Sequence, residues 1–354
     1  MDEEQSQDLV AGRKSVPLHM DVAPELFPGD DSSIPLDVRE ALRQAYIWVD
    51  QAESIPQESK DEIKRRLELL AAHRPNDTCA LRHTLRVDAL VSRYWETTIA
   101  CFDSLVDKRE EVGRVTMLHD LGKSGGQDID PILAQFFRRM TFFVNGAWGP
   151  KYEQMLVIKS IVDLGKVPGV PSVRRVCRYL RQLFPDREPG TVLWSQIRDC
   201  HVSLGVEALE SLGIDDATVE RVGNHHWLDT LLRRPDDLIR KQVYPDDATI
   251  VLELFDKLDA NLSRRNGNRT MNDACRWFRT ERLVPAKGMM QERRKQRLLM
   301  LKYMQDRQMI MHTSSADDYE IRRIDFIQNV LDRYEMLLTA LERQVKTEQA
   351  AAAG

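Results

Sequence analysis

From Leu36 onward the apolar side chains recur at steps of three and four, and that spacing commits the chain to helices. The pattern is clearest near the C-terminus. Ile324, Ile327, Leu331, Tyr334, Leu338, Leu341 and Val345 alternate steps of three and four, which makes a heptad seam. Ser315 with Asp318 reads as the cap at its start. Such a seam either packs within the chain or zips two copies into a homodimer through 317–347, and both uses stay open at this point. Upstream, Leu42, Ala45, Val49 and Ala52 form one stripe, and Ile63, Leu67 and Leu70 form a second after Pro56. A basic, Met-rich helix is expected from Ala286 to Met311. Alternating β-branched runs are absent, so the expected fold class is all-α.

Charge divides the chain unevenly. The whole carries 51 bases and 56 acids, net −5, which argues against nucleic acid or an acidic membrane as the main partner. Residues 1–40 hold ten acids and three bases, whereas residues 261–310 hold thirteen bases and four acids. Residues 1–35 also contain four prolines and no apolar period, and they read as a flexible acidic leader. The longest uncharged apolar candidate, Met140 to Pro150, is about half of a membrane span and is interrupted by Asn145 and Gly146. There is no basic start followed by an apolar stretch. Five cysteines form no CxxC pair. A reduced, cytoplasmic protein is therefore expected. The least regular interval, about 125–190, is rich in Gly and Pro. The tetrapeptide DLGK occurs twice, at Asp120–Lys123 and Asp163–Lys166, and only the first follows a histidine.

The histidines carry the chemistry. His83 starts an inward stripe that continues through Val87, Leu90 and Tyr94. His119 and Asp120 follow Val112, Val115 and Met117 on a helix that Gly122 is expected to end. His201 lies between Ile197 and Leu204 on an apolar face, and His225 and His226 close a helix that carries Val219 and Val222. Asp256, with Asp259 three residues later, interrupts the apolar run Ile250 to Leu258. A lone histidine on an apolar face is usually a hydrogen-bonded core residue, and a lone Asp in a core helix usually pairs with an Arg. Five of eight histidines at such positions, with acids beside them, point instead to imidazoles and carboxylates gathered from several helices around a two-metal centre.

In this order the residues resemble the HD-domain metal-dependent phosphohydrolases, and among them the HD-GYP cyclic-di-GMP phosphodiesterases. The matching pieces are RHTLRV around His83, MLHDLGK around His119 and Asp120, CHVSLGVEALESLG around His201, NHHW around His225 and His226, and ELFDKLDA around Asp256. The resemblance covers about residues 75–270. It implies an HD-type helical bundle over 73–270, with an insertion at about 125–190. Beside it would lie an N-terminal helical segment, 36–72, a C-terminal helical extension, 271–347, and a tail, 348–354. It further implies that His83, His119, Asp120, His201, His225, His226 and Asp256 hold two divalent transition metals, iron or manganese. Asp120 would bridge them, and Lys123 would face the substrate phosphate. Arg265 stands where the family places an arginine after the second acid, and Arg234, Arg233 and Arg264 are further phosphate-gripping candidates. Asp259 is read as a support for the ligands.

The chain also departs from the family. The segment HHExxDGxGYP reads HHWLDTLLRRP from His225 to Pro235, so Trp227 replaces the acid, both glycines are gone and Arg234 replaces the tyrosine. Cys79 stands where three-metal members carry glutamate, which favours two metals. The interval between Lys123 and His201 is longer than usual, by roughly 50 residues, beyond common loop lengths, and would serve as a lid, a partner surface or extra packing. The expected function is hydrolysis of a nucleotide-type phosphate ester by a metal-bridged hydroxide, with a cyclic dinucleotide as leading substrate. Two alternatives stand beside it: a signalling module that keeps the metal cage and binds a ligand or protein partner without turnover, and an HD-type nucleotide phosphomonoesterase.

Overall fold

The computed structural model describes residues 36–53, 55–71, 80–125, 130, 133, 136, 137, 140, 154–164, 170–263, 269–307 and 318–353. Over these the all-α expectation holds. In chain order the helices are α1 (Leu36–Gln51), α2 (Gln57–Ala71), α3 (Ala80–Arg93), α4 (Trp95–Cys101), α5 (Arg109–Leu118), α6 (Val157–Leu164), α7 (Val173–Leu183) and α8 (Trp194–Ser211). They continue with α9 (Asp216–Asn224), α10 (Trp227–Arg233), α11 (Pro235–Lys241), α12 (Asp247–Ser263), α13 (Met271–Phe278), α14 (Val284–Asp306) and α15 (Tyr319–Ala353). Among the described residues the single β-bridge joins Leu156 to Leu193. No helix among them is long and apolar enough to cross a membrane.

The chain divides into two compact units, and the division falls at Cys200/His201. The smaller unit spans Asp128–Cys200 and overlaps the interval read as an irregular insertion. It has a core of its own, in which Phe137 stacks on Tyr179 with centroids 4.6 Å apart and Trp194 is fully buried. The Trp194 indole N–H donates to Ser160 Oγ at 3.0 Å, which satisfies the one polar atom that this ring brings into the core. Helix α7 is strongly two-faced: Val176, Tyr179 and Leu180 are buried, while Arg174 and Arg181 face water.

The larger unit combines Ile34–Gln127 with His201–Gly354. Its centre is α12. Ile250, Val251, Leu252, Leu254, Phe255 and Leu258 are all fully buried, so this helix is apolar nearly all round and is wrapped by α3, α5, α9, α13 and α15. The segments 36–72 and 271–347 belong to this same unit, beside the histidine-bearing helices, and are not separate pieces. Every residue of the heptad seam is buried within the chain, including Ile324, Leu331, Leu338 and Val345. Of the two uses left open for that seam, packing within the chain is the one observed. Asp318 caps α15, accepting the N–H groups of Glu320 and Ile321 at 3.1 and 3.0 Å; Ser315 lies outside the described residues. The segment expected to be a tail continues α15 to Ala353, because alanine is the strongest helix former. That end is tied down where Arg93 donates to Glu348 at 2.7 Å and Asn272 to Gln349 at 2.7 Å. The basic helix expected from Ala286 to Met311 is α14. It enters through a π-helical turn, Arg279–Leu283, that accommodates the missing N–H of Pro285.

One buried acid joins α12 to α15. Tyr334, stacked between Trp227 and Phe278, donates its hydroxyl to Glu253 at 2.6 Å, and the Leu228 N–H donates to the same carboxyl at 3.0 Å. Burial pushes Glu253 up to about 8 from an ordinary value of 4.5, against the opposing pull of Lys257. The folded chain thus keeps a proton that the unfolded chain releases, and folding weakens as pH rises from 4.5 towards 8. Urea unfolding at intervals across that window is expected to show a smaller pH-dependent loss in Glu253→Gln than in the parent. Parallel curves for the two proteins would contradict this assignment.

Candidate metal centre

The centre starts at the end of α5. His119 caps that helix, its N–H still reaching the Val115 carbonyl, and Asp120 then turns the chain into a 3-10 turn, Leu121–Ser124. Gly125, at φ 95°, ends that turn in a conformation that an L side chain resists. Gly122 has a different task from the helix-stopping one expected of it. A methyl group built on it would overlap the carbonyl oxygen of His201 and the Gly205 nitrogen, and would lie 2.8 Å from the Gly205 Cα. The turn therefore lies directly on the backbone of α8, which brings His201 to Asp120. Arg66 of α2, itself 1% exposed, clamps the turn from the other side through Ser124 Oγ at 3.1 Å and the Gly125 carbonyl at 2.7 Å.

Around Asp120 the expected ligands converge. His83, His119 and Asp120 form one group whose ligand atoms lie within 4.8 Å of one another, and His201, His225 and His226 form another. Asp120 belongs to both neighbourhoods. Its Oδ2 is 3.6 Å from His119 Nε2 and 3.8 Å from His83 Nε2, while its Oδ1 is 3.8 Å from His201 Nε2. Asp256 Oδ1 meets His83 Nε2 at 2.8 Å. Lys123 reaches Asp120 at 2.5 Å and keeps 29% of its side chain exposed.

The rings are oriented from outside. His119 donates Nδ1–H to the Thr116 carbonyl at 2.7 Å, and His225 donates Nδ1–H to the Val222 carbonyl at 2.5 Å. Both arrangements leave Nε2 as the nitrogen with a lone pair. His119 Nε2 is buried without a hydrogen-bond partner. An orphaned imidazole lone pair facing a carboxylate is costly in a bare core and suits a cation, so the donor set could hold a metal ion. His83 gives Nδ1 to Asp259 at 2.6 Å, and Arg86 grips that carboxylate at 2.8 and 3.0 Å. Asp259 thus holds the His83 ring in place.

Electrostatics follow from burial against pairing. Burial alone would raise Asp120, but Lys123, His119 and His83 hold it far below the usual carboxylate range. Burial lowers His119 and, more strongly, His225, which keeps both rings neutral. His83 moves the other way: burial disfavours its charge, yet Asp256 and Asp259 together lift it to about 9. Any cation bound at His83 Nε2 must displace that proton.

Other expected residues stand elsewhere. Arg234 is exposed at the α10–α11 junction, and Arg233 acts on Asp229 through its charge. Arg264, Arg265 and Cys79 lie outside the described residues. Trp227 is a core residue, 2% exposed, whose indole N–H donates to the Val243 carbonyl at 2.9 Å. Sequence reasoning missed Lys257 and Asp229. The Lys257 ammonium is buried and sits 2.8 Å from Asp256 Oδ2, 3.2 Å from Asp229 Oδ2 and 2.6 Å from His226 Nδ1. Their one available signal was the position of Lys257 inside an apolar helix.

No protein-family model, curated protein or solved structure matches this chain.

The Gly122 contact yields a direct test. Since the obstruction is backbone, no rotamer relieves it, and Gly122→Ala must push the Asp120 turn away from His201. Loss of about 1–3 kcal/mol is expected in chemical unfolding, together with weakened uptake of any metal ion that the parent binds. A Gly122→Ala protein with parental stability and uptake would refute the account of this turn.

Proposed function

We propose that the chain is a metal-dependent phosphohydrolase of the HD type, a phosphodiesterase for nucleotide-type phosphate esters, with a cyclic dinucleotide as leading substrate. The observation that carries this reading is the sharing of one buried carboxylate, Asp120, between two imidazole groups. His83, His119 and Asp256 would hold one cation with Asp120, and the group of His201, His225 and His226 would hold the other. Among the described residues the shell has no thiolate, which suits iron or manganese. A pair of such ions supplies Lewis acidity that makes water reactive at neutral pH and neutralises phosphoryl charge.

The remaining work falls to side chains. Arg86 and Asp259 fix the His83 ring, while the Thr116 and Val222 carbonyls fix His119 and His225, so the donors need little reorganisation when an anion arrives. Lys123, partly exposed beside Asp120, would meet a phosphoryl oxygen. The resemblance of RHTLRV, MLHDLGK, NHHW and ELFDKLDA to the HD-GYP pattern supports the diester over the monoester.

One observation favours a second reading. Trp227, in place of the family's acid, packs into the core on Tyr334, so the loop that follows the paired histidines is built differently. A metal-holding module that binds a nucleotide without cleaving it would tolerate that change. Anaerobically purified protein assayed against cyclic dinucleotides and linear nucleotides separates the two. Hydrolysis is expected, and Asp120→Ala is expected to abolish it while the helical circular dichroism is retained. Tight nucleotide binding with no product would favour the module, and a preparation that takes up no transition metal would overturn both.

A further inference from the structure

His226 is built unlike its neighbours. In His83, His119 and His225 the outer nitrogen, Nδ1, meets an acceptor: Asp259, the Thr116 carbonyl and the Val222 carbonyl respectively. In His119 and His225 that nitrogen keeps the proton and Nε2 is left to offer a lone pair; His83, doubly protonated between Asp259 and Asp256, becomes the same neutral tautomer once a cation displaces its Nε2 proton. In His226 the outer nitrogen meets Lys257 Nζ at 2.6 Å, and an ammonium has only protons to give. Asp256 at 2.8 Å and Asp229 at 3.2 Å hold that ammonium charged and in place. Nδ1 of His226 therefore accepts, and the proton of the neutral ring sits on Nε2, directed at His201 Nε2 3.2 Å away. A nitrogen that carries a proton offers no lone pair to a cation.

Two further observations agree. His119 and His225 are fully buried, whereas the His226 side chain is 28% exposed and reachable from outside. His226, Asp229 and Glu253 also stand close enough to hold a metal ion, yet Lys257 bonds to His226 and Asp229 within that group, a built-in cation that leaves no call for a third ion. From these we infer that His226 is not a cation ligand: once a cation takes the His201 Nε2 lone pair, the His226 Nε2–H is released to donate toward the bound phosphate ester, with Lys257 as the positioning residue that fixes its tautomer. The inference rests on the proposed function and refines it. The two cations then depend on His83, His119, Asp120 and Asp256, and on Asp120, His201 and His225.

The test measures metal per chain in the full-length protein loaded anaerobically with manganese(II), comparing the parent with His225→Gln and His226→Gln. His226→Gln is expected to keep the parental metal content while hydrolysis drops, and His225→Gln to lose the ion that it helps to hold. Equal metal loss in the two variants would overturn the inference and leave the proposed function standing. A parent without metal would remove the ground under both. Histidine ring nitrogens observed by NMR in the zinc-loaded parent give a readout that does not depend on how the variants fold. One active-centre ring is expected with its proton on Nε2 and its lone pair on Nδ1, and metal-bound Nε2 in every ring of the centre would refute it.

Discussion

A carboxylate almost sealed from water must have charge or donors around it, and the architecture of the larger unit is organised by that requirement at Asp120. Its side chain is 1% exposed and lies between imidazoles from three helices. Burying it unpaired would cost several kcal/mol. The Lys123 ammonium and the positive charge of the His83 ring offset that cost, while the neutral rings beside them keep lone pairs that face inward. The same arrangement that makes the core tolerable makes it receptive to cations.

The scaffold around this point is fitted at backbone level. Gly122 allows the 3-10 turn to rest on α8, Arg66 holds the turn from α2, and α12 supplies Asp256, Lys257 and Asp259 within two turns of one buried helix. Behind α12 the α15 seam closes the core, so the long C-terminal helix supports the helix that carries three of the polar residues near the centre. Each contact fixes a side chain's direction as well as its place, which a site of preorganised donors requires.

Much of this was legible in the residues. Helical spacing revealed the all-α class, and the inward phase of His83, His201 and Asp256 was enough to gather them. The seam from Ile324 to Val345 was legible as a seam, but its partner was not, because the same heptads serve a bundle or a dimer. Gly122 read as a helix stop since spacing carries no information about which backbone lies across it. Lys257 went unread beside Asp256, inside a run that is otherwise mostly apolar. Its significance depends on Asp229 and His226, which reach it from α10 and from the turn before that helix, a convergence that no local pattern encodes. The alanines after Glu348 read as a tail although their propensity argued for helix.

The proposed chemistry depends on cations seated at the two histidine groups that share Asp120. Anomalous X-ray scattering from crystals of the anaerobically metal-loaded protein measures this directly. The account predicts two peaks, one beside His83 and His119 and one beside His201 and His225, with the Asp120 carboxylate common to both. A metal-loaded crystal with no peak there, or with its peaks elsewhere on the molecule, would contradict it.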